Sequence, residues 1–211
     1  MSEKRYVVVE GPIGVGKTTL CRLLAKRWRA RLVLEEFEDN PFLTRFYTDR
    51  SKYAFQTQLF FTVSRFRQQQ RMDQLDLFHH RVVADYMFGK DRIFAGVNLA
   101  DDELDLYLTL ADLLAGRLPQ PDLVVYLQAS LDTLMKRIDA RGRPYERNMS
   151  RRYLERLREA YSDYFFRGRR HPVLVVNTDD VNFEGNDVAL EGLLEAVDGH
   201  GGGIETYVPR L

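Results

Sequence analysis

Five short apolar runs recur along this chain: "YVVV" (6–9), "RLVLE" (31–35), "RVVAD" (81–85), "DLVVYLQ" (122–128) and "VLVVN" (173–177). Most are continuous rather than alternating, and valine dominates them. A strand with one wet face alternates apolar and polar residues, whereas a strand covered on both faces, as in a parallel sheet, does not. Between the runs lie stretches with helical spacing. "KTTLCRLLAKRW" puts Leu20, Leu23, Leu24 and Trp28 on one face. Residues 50–77 read as one long helix with an apolar stripe through Phe55, Leu59, Phe60, Val63 and Phe66, and 102–115 and 150–166 are also helical. Strands alternating with helices predict an α/β fold with five parallel strands and helices on both sheet faces. The strand ends then gather Glu10, Glu35, Asp85, Gln128 and Asn177 at one rim, where ligands of open parallel sheets bind.

A chain of 211 residues can bury about 70% of its unfolded surface, enough for one self-sufficient domain. The expected organisation is a single domain over 1–198 with a lid at about 137–150, followed by a glycine-rich tail, 199–211, that is flexible or partly docked. Net charge is zero, which excludes a general binder of nucleic acid or anionic membrane. The one cysteine, Cys21, cannot form an internal disulfide and fits a reducing compartment. No apolar run approaches the ~18 residues of a membrane span, and "MSEKRYVVVEG" lacks a signal-peptide core, so the expected location is cytoplasmic.

"GPIGVGKT" follows the first strand directly and satisfies G-x-x-x-x-G-K-[ST] from Gly11 to Thr18, with a helix after it. Gly11, Gly14 and Gly16 let backbone N–H groups, including those of Ile13 and Val15, converge on phosphate oxygens. The helix start at Lys17, Thr18 and Thr19 adds its positive end. Lys17 is placed to reach the β and γ phosphates, and the Thr18 hydroxyl to ligate Mg²⁺. A phosphoryl acceptor also needs a group that takes its proton. Glu35 and Glu36 end the second run, at the rim beside the loop. A carboxylate with an ordinary pKa of about 4.3 is ionised near neutrality and can accept a hydroxyl proton. Adjacent strand residues point to opposite sides, so at most one of the two faces the site; the residues alone leave both open.

"LEEFEDNPFLTRFYTDRSKYAFQTQLFFTVSRFRQQQ" resembles the deoxyribonucleoside kinase family, in particular its bacterial deoxyadenosine/deoxyguanosine kinase branch. The resemblance runs from the phosphate loop to about residue 183 and includes "DYMFGKDRIFA", "RGRPYER" and "VNTDDVNF". It implies a P-loop kinase fold with a short arginine-rich lid. The implied activity is ATP- and Mg²⁺-dependent phosphorylation of a deoxynucleoside 5′-hydroxyl, with deoxyguanosine or deoxyadenosine favoured and deoxycytidine as a further candidate. It also implies a homodimer through helix packing.

The resemblance assigns roles residue by residue. Glu35 matches the glutamate that receives the 5′-hydroxyl proton, with Glu36 where the family usually has proline. Tyr47 matches the tyrosine that bonds the 3′-hydroxyl and crowds a ribose 2′-hydroxyl. Gln58 matches the glutamine on the base edge, with Gln56 as its nearby rival, and Arg65 and Asp91 match the pair that supports it. Spacing agrees in one respect: Gln58 and Arg65 are two helical turns apart and share a face. Phe37, Phe61 and Phe88 are implied ring contacts for the base. Asp85 matches the acid that approaches Mg²⁺. The family usually follows that acid with arginine; here Tyr86 follows, whose hydroxyl can donate a hydrogen bond but supplies no charge. Lys90 and Arg92 are the nearest cations beyond it. In the lid, Arg137, Arg141 and Arg143 match phosphate-facing arginines, and Glu146 a glutamate on the 3′-hydroxyl. The expected catalytic set is thus Lys17, Glu35, Arg141 and Arg143. Arg147 to Arg158 read as a solvated helix face. "NTDDVNF", with Phe183, matches the loop at the adenine of ATP. Two other readings share the phosphate loop: a thymidylate-like nucleoside monophosphate kinase, which would want an arginine near residue 86, and a nucleotide-binding regulator without turnover.

Overall fold

The computed structural model describes residues 4–72, 80–147, 149–168 and 171–209. The strands are β1 (Tyr6–Glu10), β2 (Arg31–Val33), β3 (Val82–Ala84), β4 (Leu123–Gln128), β5 (Val173–Asn177) and β6 (Ile204–Tyr207). The helices are α1 (Lys17–Trp28), α2 (Leu43–Thr48), α3 (Arg50–Gln70), α4 (Lys90–Asn98), α5 (Asp101–Ala115), α6 (Leu131–Arg141), α7 (Arg151–Gly168) and α8 (Asp187–Gly199). The strands form one sheet in the order β2-β3-β1-β4-β5-β6, and every pairing is parallel.

Alternate residues of the same strand feed two different cores. Val7 and Val9 of β1 and Leu123, Val125 and Leu127 of β4 pack on one sheet face. Tyr6 and Val8, with Val124 and Tyr126, pack on the other against Tyr161 and Phe165 of α7. Both faces are dry, which is why these runs carry no polar alternation. The five apolar runs all form strands, although β2 and β3 are shorter than the runs and leave Glu35 and Asp85 just past their ends.

Three expectations need correction. The sheet has six strands, not five: the tail supplies β6, whose residues pair with Val173–Val176 of β5. The pattern was missed because β6 is an edge strand of "IETY", with no buried residue to mark it. The long helix α3 ends at Gln70, and residues 73–77 of the expected span lie outside the described residues. Its buried face is also not the apolar stripe. Ala54, Thr57, Gln58, Thr62, Arg65 and Gln69 are the buried residues, while Val63 of the expected stripe is exposed. Part of this polar face, Thr57, Gln58 and Arg65, lines a cavity, and Thr62 bonds the Tyr107 hydroxyl. Among the described residues no helix is long and apolar enough to cross a membrane.

Candidate active site

β1 hands the chain directly to the glycine loop. Gly11, Gly14 and Gly16 take φ of 148°, 86° and 104°, all open to glycine at little cost. Space is short as well. A Cβ on Gly11 would lie 2.5 Å from the Leu127 carbonyl oxygen, and one on Gly14 would lie 2.8 Å from the Ile138 side chain. The loop is therefore clasped between β4 and α6. Gly16 leads into α1, whose unpaired amides and positive end favour an anion there. Lys17 reaches back across the loop, its Nζ donating to the carbonyls of Gly11 at 2.8 Å and Pro12 at 3.1 Å. Burial, and then the charge of Lys90, lower this ammonium to about 8.

The loop opens onto a cavity of about 610 Å³. Of the residues expected at the site, all but Gly11, Phe88 and Asp91 line it. Gly11 lies behind Lys17, to which it offers its carbonyl. Phe88 is a correction: it packs into the core and borders a second hollow with Gly89 and Tyr164. The chain between β3 and α4 turns that ring away, and the first helical residues after it supply the polar groups instead. Asp91 is fully buried behind the cavity. It accepts from Gln58 Nε2 at its backbone oxygen (2.9 Å) and at Oδ1 (3.3 Å), and pairs with Arg65. Gln58 is buried and lines the cavity, whereas its rival Gln56 is exposed.

Glu35 and Glu36, just past the end of β2, separate into different surroundings. Glu36 is exposed, 3.5 Å from Gln68 Nε2. Glu35 turns inward and meets two cations. Arg65 donates to Oε1 through Nε (2.9 Å) and through its NH2 group, and Lys90 Nζ lies 2.5 Å from Oε2. Burial alone would push this carboxyl up, but the Arg65 and Lys90 charges outweigh it and hold the group well below the usual carboxylate range. Asp85 ties the acid to the loop, accepting from the Thr18 hydroxyl at 2.6 Å and from the Glu35 amide at 2.8 Å. Tyr86 donates to Gln68 Oε1 at 2.5 Å. Arg92 pairs with Asp112 and stays off the cavity.

Thr18 and Asp85 are the oxygen donors suited to a divalent cation. Among the described residues no cluster of three His, Cys, Asp or Glu could hold a metal alone. Mg²⁺ takes one or two protein oxygens and completes its shell with water and phosphate, so Thr18 and Asp85 would suffice for it. The Thr18 proton points to Asp85, which leaves hydroxyl lone pairs for a cation.

The lid residues form their own network. Arg137 NH1 donates to the Val15 carbonyl (3.2 Å) and Thr178 Oγ1 (3.0 Å), which joins α6 to the glycine loop. Arg141 forks onto the buried Glu146, with NH2 at 2.6 Å from Oε2 and Nε at 3.1 Å. Arg143 NH1 is 3.7 Å from Glu146 Oε1, and its guanidinium lies 4.2 Å above the Phe37 ring. Arg147, Arg151, Arg152 and Arg156 are exposed, as a solvated face would be.

One cavity residue escaped the sequence reading, and Glu10, expected at the rim, is instead buried beneath the loop. Tyr145 lines the cavity with its ring 5.6 Å from that of Tyr47; the signal was its place in "RGRPYER", between two assigned residues. Glu10 is fully buried and accepts from the amides of Met87 (2.9 Å) and Gly11 (3.2 Å) and from the Tyr161 hydroxyl (3.2 Å). Burial pushes its carboxyl up, against the charges of Lys90 and Lys17. It fastens the loop to the chain after β3 and to α7. An acid closing the uninterrupted apolar run of "YVVVE" was the available hint.

Comparison with known proteins agrees with this geometry. A deoxyguanosine kinase of Bacillus subtilis is 39% identical over 167 residues, 78% of each chain. A deoxyadenosine kinase of Dictyostelium discoideum is 34% identical over 182 residues, 83% of this chain and 73% of its own. The fold matches that of deoxyadenosine kinase from M. mycoides with bound dCTP, with a TM-score of 0.80 over 92% of this chain and 99% of that one, at 22% identity. The deoxynucleoside kinase family model matches residues 7–200, and the chain belongs to that family.

Proposed function

We propose that this kinase transfers the γ-phosphoryl group of ATP to the 5′-hydroxyl of a purine 2′-deoxyribonucleoside, deoxyguanosine or deoxyadenosine, in nucleotide salvage. One observation carries the reading. A glycine loop with its lysine and a half-buried, doubly paired carboxylate, Glu35, face one cavity and are linked through Asp85. Curated relatives named as deoxyguanosine and deoxyadenosine kinases support the purine preference.

Phosphoryl transfer asks a protein mainly to position the reactants and neutralise charge. In this reading Gln58 holds the base edge, and Phe37 and Phe61 flank the ring. Tyr47 and Glu146 hold the sugar. The 5′-hydroxyl lies between Glu35 and the γ-phosphorus and gives its proton to Glu35 as the new O–P bond forms. Lys17, Arg141 and Arg143 neutralise phosphate oxygens, and Arg137 holds the loop. Thr18 and Asp85 would hold Mg²⁺, which when bound neutralises charge shared by the β and γ phosphates. Phe183, lining the cavity, packs against the adenine of ATP.

The chain acts as a homodimer in this reading. α5 carries Leu106 and Leu113 exposed, and the neighbouring α3 exposes Val63. Exposed leucines at i and i+7 mark a face that a second copy would cover. Leu106→Lys with Leu113→Lys should reduce the mass in light scattering from twice 24.7 kDa to 24.7 kDa. A cytoplasmic location is proposed from the single buried cysteine.

ADP release, followed across the four deoxynucleosides and their 5′-monophosphates, tests the activity. Turnover with deoxyguanosine or deoxyadenosine is expected. Activity only with monophosphates, or none, would remove the proposal.

A further inference from the structure

Lys90 opens α4 and is 5% exposed. Lysine is seldom buried unless it is paired. Its ammonium lies 2.5 Å from Glu35 Oε2, and among the described residues Glu35 is the one carboxylate in ion-pair range. Arg65, on the other oxygen of Glu35, is shared with Asp91. The two cations therefore differ: one is committed to an anion that never reacts, the other is not. Lys90 also lines the cavity, as do Lys17 and Thr18. Residue 86, next after Asp85, cannot supply a charge here. Tyr86 is neutral, fully buried, and does not line the cavity.

Resting on the reading of Glu35 as proton acceptor, we propose that Lys90 is a further catalytic residue, an ammonium that holds Glu35 before transfer and moves onto the transferring phosphoryl oxygens during it. The 5′-O–H bond breaks and its proton passes to Glu35. The oxygen's electron pair forms the new O–P bond. The bond from that phosphorus to the β–γ bridging oxygen breaks, and its pair leaves on ADP. Glu35 thus loses its charge in this step. A buried ammonium without an anion is costly, and negative charge is developing on the phosphoryl oxygens next to it. Arg65 keeps Asp91 throughout and stays in place, so base recognition is undisturbed while Lys90 shifts.

Steady-state kinetics of Lys90→Met and Lys90→Arg with ATP and deoxyguanosine test this, beside calorimetric nucleoside binding and thermal midpoints. Lys90→Met should lower kcat about 100-fold, the scale of one lost transition-state contact, with nucleoside Kd changed less than about threefold. Lys90→Arg should restore at least about tenfold of that loss, since it returns the charge. A Lys90→Met kcat within about threefold of wild type, or a loss confined to KM, would overturn the proposal. If Lys90→Met does not fold, Lys90→Gln, polar and of similar length, is judged by the same criteria. Failure of the wider reading looks different: the wild-type enzyme itself would then turn over no deoxynucleoside.

Discussion

Arg65 and Asp91 form an ion pair in which the carboxylate is wholly buried and the guanidinium nearly so. The same guanidinium reaches Glu35, and the same carboxylate holds Gln58. In the proposed reading, base recognition by Gln58 and proton acceptance by Glu35 are thereby wired through one arginine. Arg65→Met would strand Asp91 without its cation. Losing one partner of a buried pair costs about 3–5 kcal/mol, and adding Asp91→Ala should recover part of that cost. Denaturant unfolding of the two single variants and the double variant measures the coupling. The double variant should also widen the pocket and move preference toward pyrimidine deoxynucleosides. Simple additivity, with an unchanged base ranking, would count against this wiring.

The two adjacent glutamates should differ sharply. Glu35→Gln keeps the shape but removes the proposed proton acceptor, so kcat should fall about 100-fold or more while nucleoside still binds. Glu36→Gln changes an exposed side chain and should leave kcat within about twofold, as surface substitutions usually do. Initial-rate assays of both settle the assignment, and the reverse pattern would reassign the base to Glu36.

Glycines of the loop should rank by what surrounds them. An alanine Cβ at Gly14 meets both the Ile138 side chain and the Leu134 carbonyl oxygen of α6, whereas one at Gly16 meets nothing within 4 Å. Backbone strain alone costs about 1–3 kcal/mol, and overpacking adds about as much again. Gly14→Ala should therefore be the more destabilising, measured by thermal unfolding. It should also displace α6, and with it Arg137 and Arg141, so kcat should fall as well.

Glu10 should leave a signature in the pH dependence of stability. Its carboxyl is raised above the ordinary 4.5, so the folded state binds that proton more tightly than the unfolded chain. The contribution is full below the unfolded value and is lost as pH rises through the folded one. Glu10→Gln abolishes that slope, while the opposite slope from Glu35 remains in both proteins. The thermal midpoint of the variant should gain on wild type as pH rises above the ordinary 4.5. A constant gap above that value would mean an ordinary carboxyl.

Much of the cavity lining was legible in the sequence because its parts are local. "GPIGVGKT" is a loop whose glycines and lysine act within a few residues of one another. Gln58 and Arg65 share a helix face whatever the helix packs against. Phe88 was misread because ring orientation after β3 depends on the turn into α4, which spacing does not encode. The apolar stripe of α3 was misread for a related reason. Periodicity reports which face is greasy; here that face is only partly buried, with Phe55 and Phe66 against the core and Val63 exposed, while the polar face is the buried one.

The sequence by itself determined the parallel α/β class, since uninterrupted valine runs suit only strands covered on both faces, and it determined the phosphate loop, since that chemistry is contiguous. Only the tertiary structure decided which charges meet. Glu35, Arg65, Lys90 and Asp91 come from a strand end and two helices, and ion pairing acts over a few ångströms of space rather than along the chain. The same is true of β6, a short polar edge strand that pairs because β5 offers it an open row of backbone hydrogen-bonding groups.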